Sequence, residues 1–278
     1  MFEQFLREKR YLNNVSPNTI DFYQYAYNAY KRTIGTEINN QNLKEFVIKL
    51  KEAGLATTSI NCYIRGINSY LTWLFENEHT TEHLKIKQLQ EEKVIITPFT
   101  DSQLQALISY KPKAPSWTRL HTLLCLLIDT GLRIDEALTL TRDRIDMDNL
   151  VLKVTGKGRK ERIVPFSLEL RRRLYNQLKT NKFDLVFCNK YGAKLTQRNL
   201  LRDFKIIGRD LGIEGVRVSF HTLRHTFAYN YIKSGGNVLY LQRILGHEDL
   251  SITKRYVNLQ TEDLSLMHKK VSLLERLR

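Results

Sequence analysis

Apolar residues in the first 84 positions recur at helical intervals. Phe2, Phe5 and Leu6 open the pattern. Ser16-Pro17 has the form of an N-cap followed by proline at the first helical position. Ile20, Tyr23, Tyr27 and Tyr30 then share one side, up to Gly35. Leu43, Phe46, Val47 and Leu50 make a third stripe, ended by Gly54. The fourth is the most regular, with Ile60, Ile64, Ile67, Leu71 and Leu74 stepping by 4, 3, 4 and 3. Four amphipathic helices predict a small bundle over residues 1–84, its tyrosines packing in core and rim.

Residues 85–98 are polar and without period, and read as a linker. Thr100 with Gln103 has capping-box spacing, so a second domain, 99–278, opens on a helix. Helices are expected to about Thr141. Two β segments, Leu150–Thr155 and Glu161–Phe166, flank the tight turn Gly156-Lys157-Gly158-Arg159-Lys160. Helical patterning returns after Ser167. The last stripe, Leu264, Leu266, Met267, Val271, Leu274 and Leu277, predicts an amphipathic helix over about 262–278. The fold class is therefore mainly α, with a small β-sheet or hairpin inside a mixed α/β second domain.

Charge adds a partner to this picture. The chain of 278 residues carries a formal net charge of +15, split as +2 in residues 1–90 and +13 in 91–278. Such an excess predicts a polyanion bound chiefly by the second domain. Cys62, Cys125 and Cys188 are odd in number and far apart, which supports neither a disulfide framework nor a zinc site. Cys125 sits in an apolar run and reads as core. No apolar stretch is long enough to span a bilayer, and the N-terminus has no signal pattern. A reducing, cytoplasmic setting without membrane attachment is expected.

Four short segments could carry chemistry. In Thr130-Gly131-Leu132-Arg133, a glycine breaks a buried helix just before an arginine, which can aim its fork into a cleft. Glu136, three residues on, could orient it. An ordinary structural Arg–Glu pair reads equally well. Lys157, at the tip of the turn, could protonate a leaving oxygen; taken alone, a basic turn touching phosphates fits better. His221 and Arg224 share a helical face, while Leu223, Phe227 and Tyr231 form its buried side. That leaves His221 and Arg224 facing a cleft or solvent. His247 follows the helix-ending Gly246, and Tyr256 lies nine residues later, where a packing role is the ordinary alternative. Together the set suits phosphoryl transfer without a metal. Arginines can neutralise the charge on the non-bridging oxygens, and a tyrosine with an ordinary pKa near 10 needs such cations to act as a nucleophile.

The order Arg133, Lys157, His221-x-x-Arg224, His247, Tyr256, with the surrounding strings TGLRIDEAL, VTGKGRKERIVPF, HTLRHTFA and LGHEDLSITKRY, resembles the tyrosine recombinases, or phage integrase family. The match covers about residues 97–260, in a short Xer-like layout without an arm-binding domain. The N-terminal bundle looks like the family's core-binding domain, a SAM-like helical module. The resemblance implies a site-specific DNA recombinase, an integrase or resolvase, working through a Holliday junction. Tyr256 would form a 3′-phosphotyrosine, and Arg133 and Arg224 would bind the non-bridging oxygens. His221 would assist proton removal, Lys157 would be the general acid, and His247 would hydrogen-bond the phosphate. Arg159, Lys160, Arg162, Lys254 and Arg255 are expected DNA contacts. No cofactor or metal is implied. The implied partners are a double-stranded recombination site and further copies in a synaptic tetramer joined by the C-terminal helix. A need for an accessory protein or partner recombinase stays open. The alternatives are a type IB-like topoisomerase, or a non-catalytic DNA-binding regulator on the same fold.

Overall fold

The computed structural model describes residues 1–91, 96–156 and 160–246. The chain divides into two compact units, Met1–Val94 and Ile95–Arg278. It is mainly helical with one small sheet, the class the pattern predicts.

The first unit contains α1 (Phe2–Tyr11), α2 (Pro17–Thr33), α3 (Asn40–Glu52) and α4 (Thr57–Glu76). The Ser16 hydroxyl accepts the Thr19 N–H, and Asn39 Oδ1 accepts the Asn42 N–H, so both side chains cap as expected of their types. All five members of the α4 stripe are buried, alongside Phe5, Tyr30 and Phe46. Tyr23 and Tyr27 pack at the rim of this core, whereas Tyr25 points outward and stacks on Tyr63.

Residues 84–91 have no helical period, yet they pack on this unit. Leu84 and Ile86 are buried and Leu89 is half-buried. Two asparagines of α4 hold the backbone. The Asn68 amide pairs with both the N–H and the C=O of Ile86, at 2.9 and 2.8 Å. Asn61 does the same for Leu89, at 2.8 Å each. A primary amide offers a donor and an acceptor side by side, as a neighbouring strand would.

The second unit runs α5 (Asp101–Ser109), α6 (Pro115–Thr130), α7 (Ile134–Leu138), a 3₁₀ turn at Arg142–Arg144, β1 (Ile145–Asp146), β2 (Val151–Thr155), β3 (Glu161–Pro165), α8 (Leu168–Thr180), α9 (Gln197–Asp210), α10 (Phe220–Lys233) and α11 (Val238–Leu245). Thr100 and Gln103 form the reciprocal capping box. The sheet is antiparallel in the order β1-β2-β3, with Leu152 opposite Val164 and Val154 opposite Arg162. The strand Ile145–Asp146 has no counterpart in the sequence pattern, since two residues carry no alternation.

The centre of the unit is α6. Leu123, Leu124, Leu126 and Leu127 are all buried, so this helix is apolar nearly all round. Leu152, Val154 and Val164 of the sheet, Phe204 of α9 and Leu223 of α10 complete the core. Cys125 is among them, and burial pushes its thiol up to about 11, as suits a core residue. Among the described residues no helix is long and apolar enough to cross a membrane.

Candidate active site

Helix α6 ends where Gly131 turns left-handed, at φ +63°. A Cβ at this position would lie 2.3 Å from the Phe227 ring of α10. Glycine therefore permits both the backbone conformation and the close approach of α10. Arg133, two residues on, is the N-cap of α7.

Glu136, buried in α7, organises what surrounds it. Its carboxylate accepts the Arg133 backbone N–H at 2.8 Å and Arg133 Nη1 at 3.0 Å. Arg162 of β3 adds a two-pronged pair at 2.8 and 2.7 Å. Burial alone would raise the Glu136 carboxyl. The hydrogen bonds and charge of Arg162, then the contacts with Arg133, outweigh it and hold the group below the usual range.

Three guanidinium groups converge on the last carbonyls of α11. Arg162 Nε donates to Ile244 O at 2.7 Å. Arg224 Nη2 donates to Leu245 O at 2.7 Å, and Arg133 Nη1 reaches the same oxygen at 3.3 Å. Arg224 Nη1 also donates to Gly131 O at 2.8 Å. A helix C-terminus presents unpaired carbonyls and the negative end of its dipole, so it draws cations. Gly246, at φ +64°, closes α11 directly over the Arg162 guanidinium, 3.1–3.2 Å from where a Cβ would sit.

Arg224 differs from its expected setting. It is only 5% exposed, locked between the ends of α6 and α11 rather than facing open solvent. Phe227 and Tyr231 are half-buried, while Phe220, Thr222 and Thr226 share the interior with Leu223. Arg162, expected at the DNA, is spent on Glu136 and Ile244. Its side chain is 11% exposed, which suits a residue that positions others. Arg133 is the open member: its side chain is 42% exposed. Among the described residues its Nε and Nη2 groups make no hydrogen bond.

His221 keeps an exposed edge. Burial of the rest of the ring, then the charges of Arg224, Arg217 and Arg133, hold its pKa below the usual imidazole value. It is neutral near pH 7 and so able to accept a proton. His221 Nε2 lies 2.9 Å from His225 Nε2, with the rings nearly perpendicular. One of the two nitrogens must donate and the other accept.

The site thus brings together Arg133, His221 and Arg224, plus two residues of less obvious use, Glu136 and Arg162. Three arginines against one carboxylate leave an excess of positive charge, and the open edge of Arg133 can offer it to an anion. Lys160 is exposed beside the turn. Lys157, Arg159, His247, Lys254, Arg255, Tyr256 and the helix expected over 262–278 lie outside the described residues. Among the described residues no three His, Cys, Asp or Glu side chains cluster as a metal site requires.

Comparison with known proteins agrees with this geometry. The model of the phage integrase family matches residues 98–263, a span that includes all six predicted catalytic positions. The tyrosine recombinase XerA of Thermococcus kodakarensis is 29% identical over 273 residues, covering 96% of this chain and 93% of that protein. The tyrosine recombinase XerD of Oceanobacillus iheyensis is 27% identical over 287 residues, covering 96% and 95%. Among solved structures, the Tn1549 transposon integrase in complex with transposon right end DNA shares the fold at a TM-score of 0.79 and 19% identity, over 96% of this chain and 98% of that one. The XerH site-specific recombinase bound to its difH substrate does so at 0.73 and 21%, over 96% and 82%. The chain belongs to the phage integrase family, and with it to the tyrosine recombinases, enzymes that cleave and rejoin DNA.

Proposed function

We propose that this chain binds a specific duplex DNA site and exchanges strands there through a covalent bond to Tyr256. In this reading Arg224, held rigidly, and Arg133, with its open edge, contact the non-bridging oxygens of one phosphodiester. They offset the charge that grows as phosphorus becomes five-coordinate. His221, neutral at working pH, takes the proton of the Tyr256 hydroxyl as its oxygen bonds to phosphorus. The bond to the 5′-oxygen breaks, Lys157 protonates that oxygen, and a 3′-phosphotyrosine remains. His247 supplies a further hydrogen bond to the phosphate. A free 5′-hydroxyl from another strand reverses the steps on a new partner, so the bond energy is retained and no nucleotide cofactor is consumed. Glu136 and Arg162 touch no substrate; they fix Arg133 and the end of α11.

The observation that carries the reading is the convergence of Arg133, Arg162 and Arg224 on the last carbonyls of α11, the first two braced by Glu136, beside a neutral His221. Lys160 and, nearer the turn tip and the nucleophile, Arg159, Lys254 and Arg255 are assigned to DNA backbone contacts. Two copies on each of two sites, joined through the 262–278 segment, would make the working tetramer, with any accessory protein acting on that assembly. A cytoplasmic location follows from a DNA substrate and three free cysteines. The test uses the Tyr256→Phe variant. It should bind duplex DNA with the steep salt dependence of the unaltered protein and cut nothing; cleavage by that variant would place the nucleophile elsewhere.

A further inference from the structure

Nothing in the reaction above uses His225. It stands on α10 four residues after His221, so the two side chains are neighbours on one face of the helix. Arg224, one residue earlier, turns away from both toward the ends of α6 and α11. His225 is half-buried and His221 keeps its exposed edge.

The two Nε2 atoms are 2.9 Å apart, and the rings stand at 80°. That is a hydrogen-bond distance. Two neutral imidazoles hold it only when one Nε2 carries a proton and the other offers a lone pair. A neutral ring has a single N–H, so the contact couples the two tautomers. The ring that donates at Nε2 is bare at Nδ1, and the ring that accepts is protonated there. The contact also fixes the faces of both rings, since turning either ring over would bring a carbon to the contact in place of Nε2.

His221 makes no other hydrogen bond among the described residues, which leaves Nδ1 as its nitrogen for the reaction. To accept a proton there, the ring must donate at Nε2 and His225 must accept. The charges around His221 oppose the proton it has to take. Arg224 on its own helix, Arg217 in the preceding loop and Arg133 at the start of α7 are all cations. An acceptor on the Nε2–H draws part of the new charge onto a second ring. A base oriented by a third group is the usual arrangement around an activated nucleophile.

We propose that His225 is a positioning residue for strand cleavage: it accepts the Nε2–H of His221, fixes that ring with Nδ1 bare, and shares the charge that arrives with the proton. The Tyr256 proton goes to His221 Nδ1, no bond within the pair breaks, and one positive charge is spread over two rings. This role rests on His221 being the base in the reading above.

The test compares full-length parent, His225→Leu and His225→Gln on fragmented duplex DNA from the protein's own source. Formation of the covalent adduct is followed with protein in excess, across a range of pH, and DNA affinity is measured alongside. Leucine keeps bulk and loses the acceptor; glutamine keeps an acceptor oxygen. His225→Leu should slow adduct formation by at least about tenfold, short of the 10²–10⁴ that a whole acid–base group supplies, without weakening DNA binding. Its acid limb should move to lower pH, because the charged form of His221 loses a hydrogen bond that favours it. His225→Gln should recover most of the rate and return the midpoint toward the parent's. The parent's rate and midpoint in His225→Leu would overturn the proposal, as would an equal loss in both variants with the midpoint unmoved. Should the leucine variant fail to fold, nitrogen NMR of the parent's imidazoles decides, with His221→Ala used to assign the signals. His221 must be protonated at Nε2 and bare at Nδ1; the opposite tautomer would overturn the role. His221→Ala also separates the two levels. If it forms the adduct at the parent's rate, His221 is not the base and the proposed reaction fails with it. If it does not, while His225→Leu does, only the role of His225 falls.

Discussion

Replacing Glu136 by glutamine tests how the cluster is held. The parent carboxylate receives four hydrogen bonds, two from Arg133 and two from Arg162, and its side chain is 7% exposed. Glutamine keeps the shape but removes the charge and turns an NH₂ group toward guanidinium donors. Arg162, itself 11% exposed, is left as a buried cation beside two others. Breaking a buried pair from one side costs about 3–5 kcal/mol, and in a unit of this size each kcal/mol moves the melting temperature by roughly 2–4 °C. A loss on the order of 10 °C at pH 7 is therefore expected by calorimetry or circular dichroism. The pH dependence gives a second reading. The folded pKa of Glu136 lies below its ordinary 4.5, so its stabilisation is complete above that value and fades as pH falls through the depressed one. The gap between parent and Glu136→Gln should be widest near neutrality and narrow below about pH 4.5. A variant within about 1 kcal/mol of the parent at pH 7, or a gap that widens in acid, would refute the reasoning.

Other consequences can be measured separately. Gly131→Ala forces a left-handed backbone on alanine and drives its Cβ into Phe227, so a loss of at least about 2 kcal/mol in denaturant unfolding is expected. The depressed pKa of His221 places the acid limb of the second-order cleavage rate below the ordinary imidazole value of 6.5; a midpoint above it would remove His221 as the base. Asn61→Ala frees the backbone of Leu89, and hydrogen exchange of that amide should accelerate by about tenfold or more without global unfolding.

Which features were legible in the sequence follows from the range of the forces involved. The α4 stripe and the Thr100 capping box are local, and periodicity or a three-residue spacing exposes them. The turn between β2 and β3 announces itself through its glycines. Arg133 and Glu136 are also close in sequence, so their contact could be foreseen. The role of Arg162 could not. It rests on contacts to Glu136 and Ile244, 26 and 82 residues away. Alternation in Glu161–Pro165 is ambiguous as well, since Ile163 and Val164 are both apolar. The structure turns Val164 and Arg162 inward and leaves Ile163 exposed. The 84–91 segment escaped for a similar reason: its polar look conceals three apolar anchors, and its hydrogen bonds come from asparagines of another element. The burial of Arg224 needed the ends of α6 and α11 in place.

The central claim is a covalent bond between one tyrosine and DNA. Full-length protein would be incubated with fragmented DNA from its own source and denatured, and the attached DNA and peptide identified by sequencing and mass spectrometry. A nucleotide on Tyr256, joined through the 3′-phosphate at one recurring sequence, is the predicted result. An adduct on another residue, or adducts scattered over unrelated sequences, would contradict it.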